Sequence, residues 1–311
     1  MNYINVFLTY ILIFSFVLGG THIISTKSKI ISRKNSTQNF YNEAETILWQ
    51  ITNALEKDKT PSGDSFLDEV FNFNTQINNI DVKIESLNSR INVNNCSTNF
   101  LQSIDSAIIS QEDKNALIEK RSKQYILTED SLPQIFTSAG YLTLNIKNNE
   151  LKNYIESLTY VSENLKSKLL TSYHLKKIFD GTEGKLYFGQ DWDFVSSHFN
   201  FKGTVNVNTA SEEVLNAVIC SPLYKKKKSE DGINFILTER NKKELTESQV
   251  FSVLNVDADD ELFYILTSST DFWKITFDSP YAKRTVILRR IFPQNIHTKE
   301  YVIYEKVDFV K

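Results

Sequence analysis

The sequence predicts an α+β protein, and three observations carry that prediction. An uncharged apolar run near the start leads straight into an amphipathic helix pattern. A strand–helix–helix unit is written twice. The C-terminal third alternates apolar and polar residues as half-buried strands do.

The first element is "VFLTYILIFSFVLGG", Val6 to Gly20, which carries no charge, and "THII" extends the uncharged run to Ile24. Counted from Tyr3 it reaches the roughly 20 residues a spanning helix needs. A cleaved secretory signal has a shorter apolar region preceded by basic residues, so an uncleaved anchor is the better match. Lys27, Lys29, Arg33 and Lys34 follow the run. By the positive-inside rule they would keep the C-terminal bulk in the cytoplasm.

The second element is "FYNEAETILWQITNALEKD", Phe40 to Asp58. Its apolar stripe is Ala44, Ile47, Leu48, Ile51 and Leu55, and "KTPSGDS" ends it with Pro61 and Gly63. Then "IDVKIESLNSRINVN", Ile80 to Asn94, reads as two alternating strands joined by a turn at Leu87-Asn88-Ser89. Neither strand set is large enough alone to bury its apolar face. Ile80 to Asn94 should therefore share one sheet with the strands after Asp271.

The duplicated unit comes next. "INVNNCSTNFLQSI", Ile91 to Ile104, matches "VNVNTASEEVLNAV", Val205 to Val218: Asn92 with Asn206, Val93 with Val207, Asn94 with Asn208, Ser97 with Ser211, Leu101 with Leu215. Downstream, "LIEKR" (Leu117 to Arg121) answers "ILTER" (Ile236 to Arg240). A second capping signal follows each, Thr128-Glu129 and Thr246-Glu247-Ser248. In the later copy Thr209 and Ser211 can each cap a helix, with Glu212 and Glu213 in its first turn. The asparagines read as structural, tying strand to helix start through side-chain-to-backbone bonds. Two copies are too few for a solenoid.

Between the copies, Tyr141 to Phe201 mixes a helix pattern around Leu151 to Leu170 with the aromatic, Gly-rich "DGTEGKLYFGQDWDF". The chain closes on three strand-like runs, "DFWKITFDSP", "AKRTVILRRIF" and "YVIYEKVDF", from Asp271 to Phe309.

Composition narrows the function. With 311 residues, 41% hydrophobic and a net charge of −3, the chain has no global pull toward nucleic acid or anionic lipid. Cys96 and Cys220 lack metal-ligand spacing; buried thiols are the simplest reading, a disulfide between them the alternative. His22, His174, His198 and His297 show no metal spacing, and no nucleophile elbow, P-loop or H-E-x-x-H occurs. No catalytic residue is expected. "NVDADDEL" gathers Asp257, Asp259, Asp260 and Glu261, a partial likeness to a calcium loop without its Gly and distal Glu, so an exposed acidic loop is favoured and no cofactor is expected. Lys225, Lys226, Lys227 and Lys228 form a dense basic run that could meet phosphates.

In order and motif, the anchor, stem helix, "IDVKIESLNSRINVN", "VNVNTA" and terminal "VILRR" strand resemble the large minor pseudopilins of type II secretion, the K-subunit family. The resemblance spans most of the chain, with Val205 to Ala210 its most specific part. It implies a pilin-like antiparallel sheet enclosing a helical domain of two helix-hairpin-helix-like repeats. The boundaries would be an anchor at 1–26, stem and first strands at 27–90, the helical domain at 91–255 with repeats at 91–136 and 205–254, and C-terminal strands at 256–311. It also implies a non-enzymatic tip or assembly component of a secretion or pilus-like filament. Its partners would be other minor pseudopilins and the membrane, with a single pass in the inner membrane and the bulk on the periplasmic side. Some members of that family bind calcium in the inserted domain. The same "VNVNTASEEVLNAV" is also similar to helix-hairpin-helix domains of membrane-anchored competence DNA receptors. Those cradle a phosphate in a Gly-rich hairpin. Here "CSPLYKKKKSEDG" and "DSAIISQEDK" hold no G-x-G, so nucleic acid is not the expected partner.

Overall fold

The computed structural model describes residues 3–58, 63–93, 96–122, 132–138, 153–154, 156–163, 166, 186–191, 204–223, 230–257, 260–291 and 300–311. Anchor and stem form one continuous helix, α1, Tyr3–Lys57. Its two halves live in different surroundings. From Ser25 to Asn35 every side chain is exposed, and the first buried one after them is Phe40. From there the predicted stripe, Ala44, Ile47, Leu48, Ile51 and Leu55, is buried against a sheet. Among the described residues no helix is long and apolar enough to cross a membrane; most side chains of the Val6–Gly20 run lie outside them.

That sheet has five strands: β1 (Gln76–Ile77), β2 (Ile80–Ser86), β7 (Phe272–Asp278), β8 (Ala282–Ile291) and β9 (Glu300–Val310), antiparallel throughout and in the order β1-β2-β7-β8-β9. The pairing of β2 with β7, Val82 opposite Phe277 and Ile84 opposite Ile275, joins segments far apart in sequence. Ile80, Val82, Ile84, Trp273, Ile275, Phe277, Val286 and Leu288 face α1, while Asp81, Lys83, Lys274, Thr276 and Lys283 alternate onto the wetter side. Asn78 and Asn79, both at positive φ, make the two-residue turn between β1 and β2.

Residues 87–271 are thus inserted between two neighbouring strands. Here one expectation is corrected. Ile80–Ser86 joins the main sheet as expected, but the second run does not. After the 3-10 turn Leu87–Ser89, β3 (Ile91–Asn92) leaves to pair in parallel with β4 (Phe136–Thr137). The reason is burial: Ile91 and Val93 belong to the helical core, not to the core under α1.

The second copy repeats the arrangement, β5 (Val205–Asn206) pairing in parallel with β6 (Leu266–Thr267). The helices are α2 (Thr98–Ser103) and α3 (Gln111–Ser122) in the first copy. The second has α4 (Glu212–Ile219), α5 (Glu230–Glu239), α6 (Glu247–Leu254) and the short α7 (Glu261–Ile265). Leu101, Leu215, Leu117 and Ile236 are all buried in one core that both copies share. The Thr128-Glu129 signal and most of Tyr141 to Phe201, including nine of the twenty residues of the Leu151–Leu170 pattern, lie outside the described residues.

Candidate functional site: a buried polar junction and a clamped stem

The two copies begin with the same hydrogen bonds. Cys96 N donates to Asn92 O at 3.1 Å, and Ala210 N to Asn206 O at 2.9 Å. Val93 N reaches Thr137 O at 2.9 Å, and Val207 N reaches Thr267 O at 2.9 Å. Ser97 caps α2 by accepting from Phe100 N, as Ser211 caps α4 by accepting from Val214 N. Thr246 and Gln249 form a full capping box on α6.

Thr209 has a different task from the capping role expected of it. Its hydroxyl donates to Ser86 Oγ at 3.2 Å, which sits 2.7 Å from Thr270 Oγ1. This opens a buried polar seam where the helical module meets the sheet. Asn206 Nδ2 donates to Asp64 O at 2.8 Å and Thr270 Oγ1 at 2.9 Å, and its Oδ1 accepts from Asn208 N at 2.9 Å. Asn208 exchanges two bonds with Leu245, both 2.9 Å. Asn88 Oδ1 takes Asp271 N at 2.9 Å and Phe272 N at 3.1 Å, where the chain re-enters the sheet. Asp64 Oδ2 accepts from Thr270 N at 2.6 Å. The amides of Asn206 and Asn208 are spent on backbone and side-chain partners, so the seam fastens two halves of the molecule.

Arginine matches arginine between the copies. Arg240 Nη1 donates to Val207 O at 3.0 Å and Ala210 O at 2.5 Å, latching the second helix onto the strand-to-helix loop. Arg121 Nη1 lies 4.0 Å from Cys96 Sγ, the position that Ala210 holds in the other copy. Cys96 is half-buried as a residue, but its sulfur is enclosed, and burial pushes the thiol up to about 12 despite Arg121 nearby. Cys96 and Cys220 are not disulfide-bonded.

A second constellation holds the stem. Arg284, buried on β8, donates from Nη1 to Glu45 of α1 at 2.8 Å. It grips Asp308 of β9 with Nε at 2.6 Å and Nη2 at 3.0 Å, and lies 4.6 Å over the Tyr41 ring. Lys306 also bonds Glu45. That bond, then the charges of Lys306 and Arg284, hold the Glu45 carboxyl below its ordinary range.

Of the residues predicted to matter, Asn92, Asn206, Asn208, Thr209 and Ser211 come together at the starts of the two copies. Asn94, Lys225 to Lys228 and Asp259 lie outside the described residues. Asp260 caps α7, accepting from Leu262 N at 3.0 Å. A different acidic group, Asp58, Asp64 and Asp68, brings carboxylate oxygens within 4.8 Å of one another. Two of these carboxylates are engaged by backbone N–H groups, of Thr270 and Ser65. In the first hairpin the amides are also spent. Ala107 N donates to the Asp105 carboxylate at 2.8 Å, and Ile108 N and Ile109 N donate to Asp105 O. A carboxylate thus stands where a phosphate-binding hairpin presents bare N–H groups. The lysine next to it, Lys114, is buried and donates to Ile104 O.

Sequence reasoning missed Asp64, Ser86, Asn88, Thr270 and Arg284. Short polar residues in breaker segments read as loop, and an arginine in an alternating strand reads as solvated.

No protein-family model matches the sequence, and no curated protein matches it. Among solved structures, the chain is similar to a chain of the GspK-GspI-GspJ complex from the type 2 secretion system of enterotoxigenic Escherichia coli. The identity is 9% and the TM-score 0.40, over 88% of this chain and 97% of that one.

Proposed function

We propose that this protein is a non-enzymatic, membrane-anchored minor pseudopilin, a tip or assembly component of a type II secretion or pilus-like filament. One observation carries the reading. The C-terminal half of a 55-residue helix is clamped to an antiparallel sheet while its side chains from Ser25 to Asn35 are all exposed, and a helical module is inserted between adjacent strands of that sheet. A free helical stem with an apolar sequence is suited to packing with other stems or with lipid, and the seam and clamp are suited to keeping the head in one orientation on it. Its partners would be pilin-like subunits, with the head on the periplasmic side of the inner membrane, the orientation of the resembled family and opposite to the one that Lys27, Lys29, Arg33 and Lys34 favour by the positive-inside rule. The chemistry of the site supports fastening: its amides and hydroxyls are bonded to one another and to backbone. No cofactor is proposed.

The test is to isolate the full chain from its native membranes in mild detergent and identify what copurifies. Pilin-like subunits are expected, and Arg284→Ala should reduce their yield by loosening the stem. Recovery of the chain without its membrane fraction, or with DNA, would overturn the reading. A direct titration sharpens the contrast with a DNA receptor. Duplex DNA should bind no better than the weak non-specific range, on the order of 10⁻⁴–10⁻⁶ M at physiological salt. A submicromolar, salt-sensitive complex lost on changing Lys225 to Lys228 to Ala would favour the receptor instead.

A further inference from the structure

The stem helix ends over a polar, buried part of the sheet. α1 runs alongside β8: at its entry to the head, Asn39 and Glu43 share a cleft with Ser279 and Tyr281, and Glu45 then meets Arg284. From that ion pair α1 advances about 18 Å to Lys57, at 1.5 Å a residue, and β8 about 20 Å to Arg290. The C-terminal end of α1 therefore stands over the row formed by Asp271, Arg290 and Tyr301, where Arg290 N donates to Asp271 O at 2.7 Å and Arg290 pairs with Tyr301. Three aspartates gather at this end. Asp58 directly follows α1, and it brings a carboxylate oxygen within 4.8 Å of one from Asp64 and one from Asp68, which lie as close to each other. Asp64 is 2% exposed. Oxygens at roughly 2.3–2.6 Å from one calcium ion lie at most about 5 Å apart, so the three have the spacing of ligands on a common ion. The bonds from Thr270 N to Asp64 and from Ser65 N to Asp68 orient two of the carboxylates, and a carboxylate that takes one N–H has further lone pairs. The helix end adds the negative pole of its dipole.

A separate observation comes from the sheet below. Asp271 Oδ1, on a residue 1% exposed, and the Tyr301 hydroxyl, on a residue 9% exposed, are buried oxygens with no hydrogen-bond partner among the described residues. Both belong to the face under α1. Asp271 lies two residues before Trp273, which is part of that face, and directly after Thr270, whose N–H holds Asp64. Tyr301 is part of the same face, and its hydroxyl is pushed well above its ordinary range by burial and then by the charge of Asp64, with Asp271 adding and Arg290 opposing. The hydroxyl thus looks onto the acidic group. Trp273 Nε1 acts on it without completing a hydrogen bond. Buried oxygens left bare are costly, and water held on a cation would donate to both.

We propose that Asp58, Asp64 and Asp68 bind one calcium ion at the C-terminal end of α1, with Asp271 Oδ1 and the Tyr301 hydroxyl accepting hydrogen bonds from its waters. Oxygen donors carrying three negative charges select a hard divalent cation. An irregular set drawn from one connector suits the flexible shell of calcium over the strict octahedron of magnesium. The role of the ion is structural and serves no reaction. It ties together the end of the stem, the connector that follows it and the point where the chain re-enters the sheet at β7. The three ligands precede the inserted module, and the site does not rest on the pseudopilin reading.

The full chain in mild detergent, stripped with EDTA, is titrated with calcium chloride and followed by calorimetry and thermal melting. Saturable binding and a raised melting point are expected, with magnesium at least about tenfold weaker. Asp68→Asn keeps an oxygen for Ser65 N while removing a charge, so it should fold without calcium and bind it at least about tenfold more weakly. Asp58→Asn, at the helix end, should do the same and serves if Asp68→Asn does not fold. Tyr301→Phe removes only an acceptor for a water and should weaken calcium, by less than either. Asp260→Asn, which keeps a side-chain oxygen to cap α7, is the control for the acidic stretch at Asp257 to Glu261 and should bind as the wild type does. Bound calcium should also slow exchange of the Ser65 and Thr270 amides, which donate to two of the ligands. Absence of calcium binding, magnesium binding as tight, undiminished binding by both Asp68→Asn and Asp58→Asn, or loss of binding in Asp260→Asn would overturn the proposal. So would Ser65 and Thr270 amides that calcium leaves unmoved, and unchanged binding in Tyr301→Phe would remove the hydroxyl from the site.

Discussion

The two copies of the repeated unit share their opening hydrogen bonds and differ in what those bonds are fastened to. Both set a serine at the helix start, a buried leucine four residues on, and an arginine at the end of the following helix, Arg121 within α3 and Arg240 just after α5. In the second copy Asn206 reaches outside its own unit, to Asp64 and Thr270, and Arg240 finds two carbonyls. In the first, Arg121 faces a thiol. A repeated sequence specifies the local unit, and position in the chain decides which copy bears the junction. β6, paired with the second copy, runs through Ser268 to Asp271 into β7, so that copy's neighbours are the residues that return the chain to the sheet.

The equivalence breaks first, if it breaks, in the core. Leu101→Ala and Leu215→Ala, both fully buried, should each cost about 2–5 kcal/mol in denaturant melts. An unmoved midpoint for either would show that the two leucines are not equivalent.

The difference should be plainest in the seam. Asn206→Ala leaves Asp64 O, Thr270 Oγ1 and Asn208 N without that side chain, at about 2–4 kcal/mol. A loss below about 0.5 kcal/mol would mean the seam does not fasten the halves.

The arginines should separate the copies. Arg240→Met should cost about 1–3 kcal/mol and Arg121→Met less than about 0.5, because only the first bonds two carbonyls. Equal losses would erase the contrast. At the caps the copies should agree again, Ser97→Ala and Ser211→Ala each costing about 1 kcal/mol.

The smallest effect at neutral pH is the thiol that stands in place of Ala210. An acid whose folded pKa is raised favours the folded state while protonated. That stability is whole below about 9 and is lost as pH climbs from there toward about 12. Native stability should therefore fall between those values, and less so in Cys96→Ala. Iodoacetamide at pH 8 should label the exposed Cys220 and spare Cys96 until the chain unfolds. Labelling of both in the native chain would place Cys96 in a different setting.

What the sequence made legible is what local chemistry decides. The stripe from Ala44 to Leu55 named the buried half of α1. Ser97, Ser211 and Thr246 named helix starts, and the repeat was visible as text. The β2–β7 neighbourhood could be argued only from the need to bury two small strand sets, because no local signal links Ser86 with Trp273. The second run of Ile80 to Asn94 went elsewhere because its two apolar residues, Ile91 and Val93, suited the helical core equally well. Thr209 was misread as a cap because its real partner, Ser86, is distant in sequence. Arg121 and Arg240 were recognised as a matched pair, but a guanidinium's acceptors are not written beside it.

The insertion of residues 87–271 between β2 and β7 also sets an order of events in folding. Closing a loop that long is unfavourable for a disordered chain. The inserted module's ends, however, emerge side by side, with Ser86 opposite Trp273. A module that folds first acts as a short, stiff bridge that delivers the two strands to each other, and the sheet under α1 then closes late. Leu215→Ala, far from that sheet, should accordingly slow the arrival of Trp273 in its buried environment during refolding. If Trp273 fluorescence developed at the wild-type rate in that variant, the sheet would be closing without the bridge.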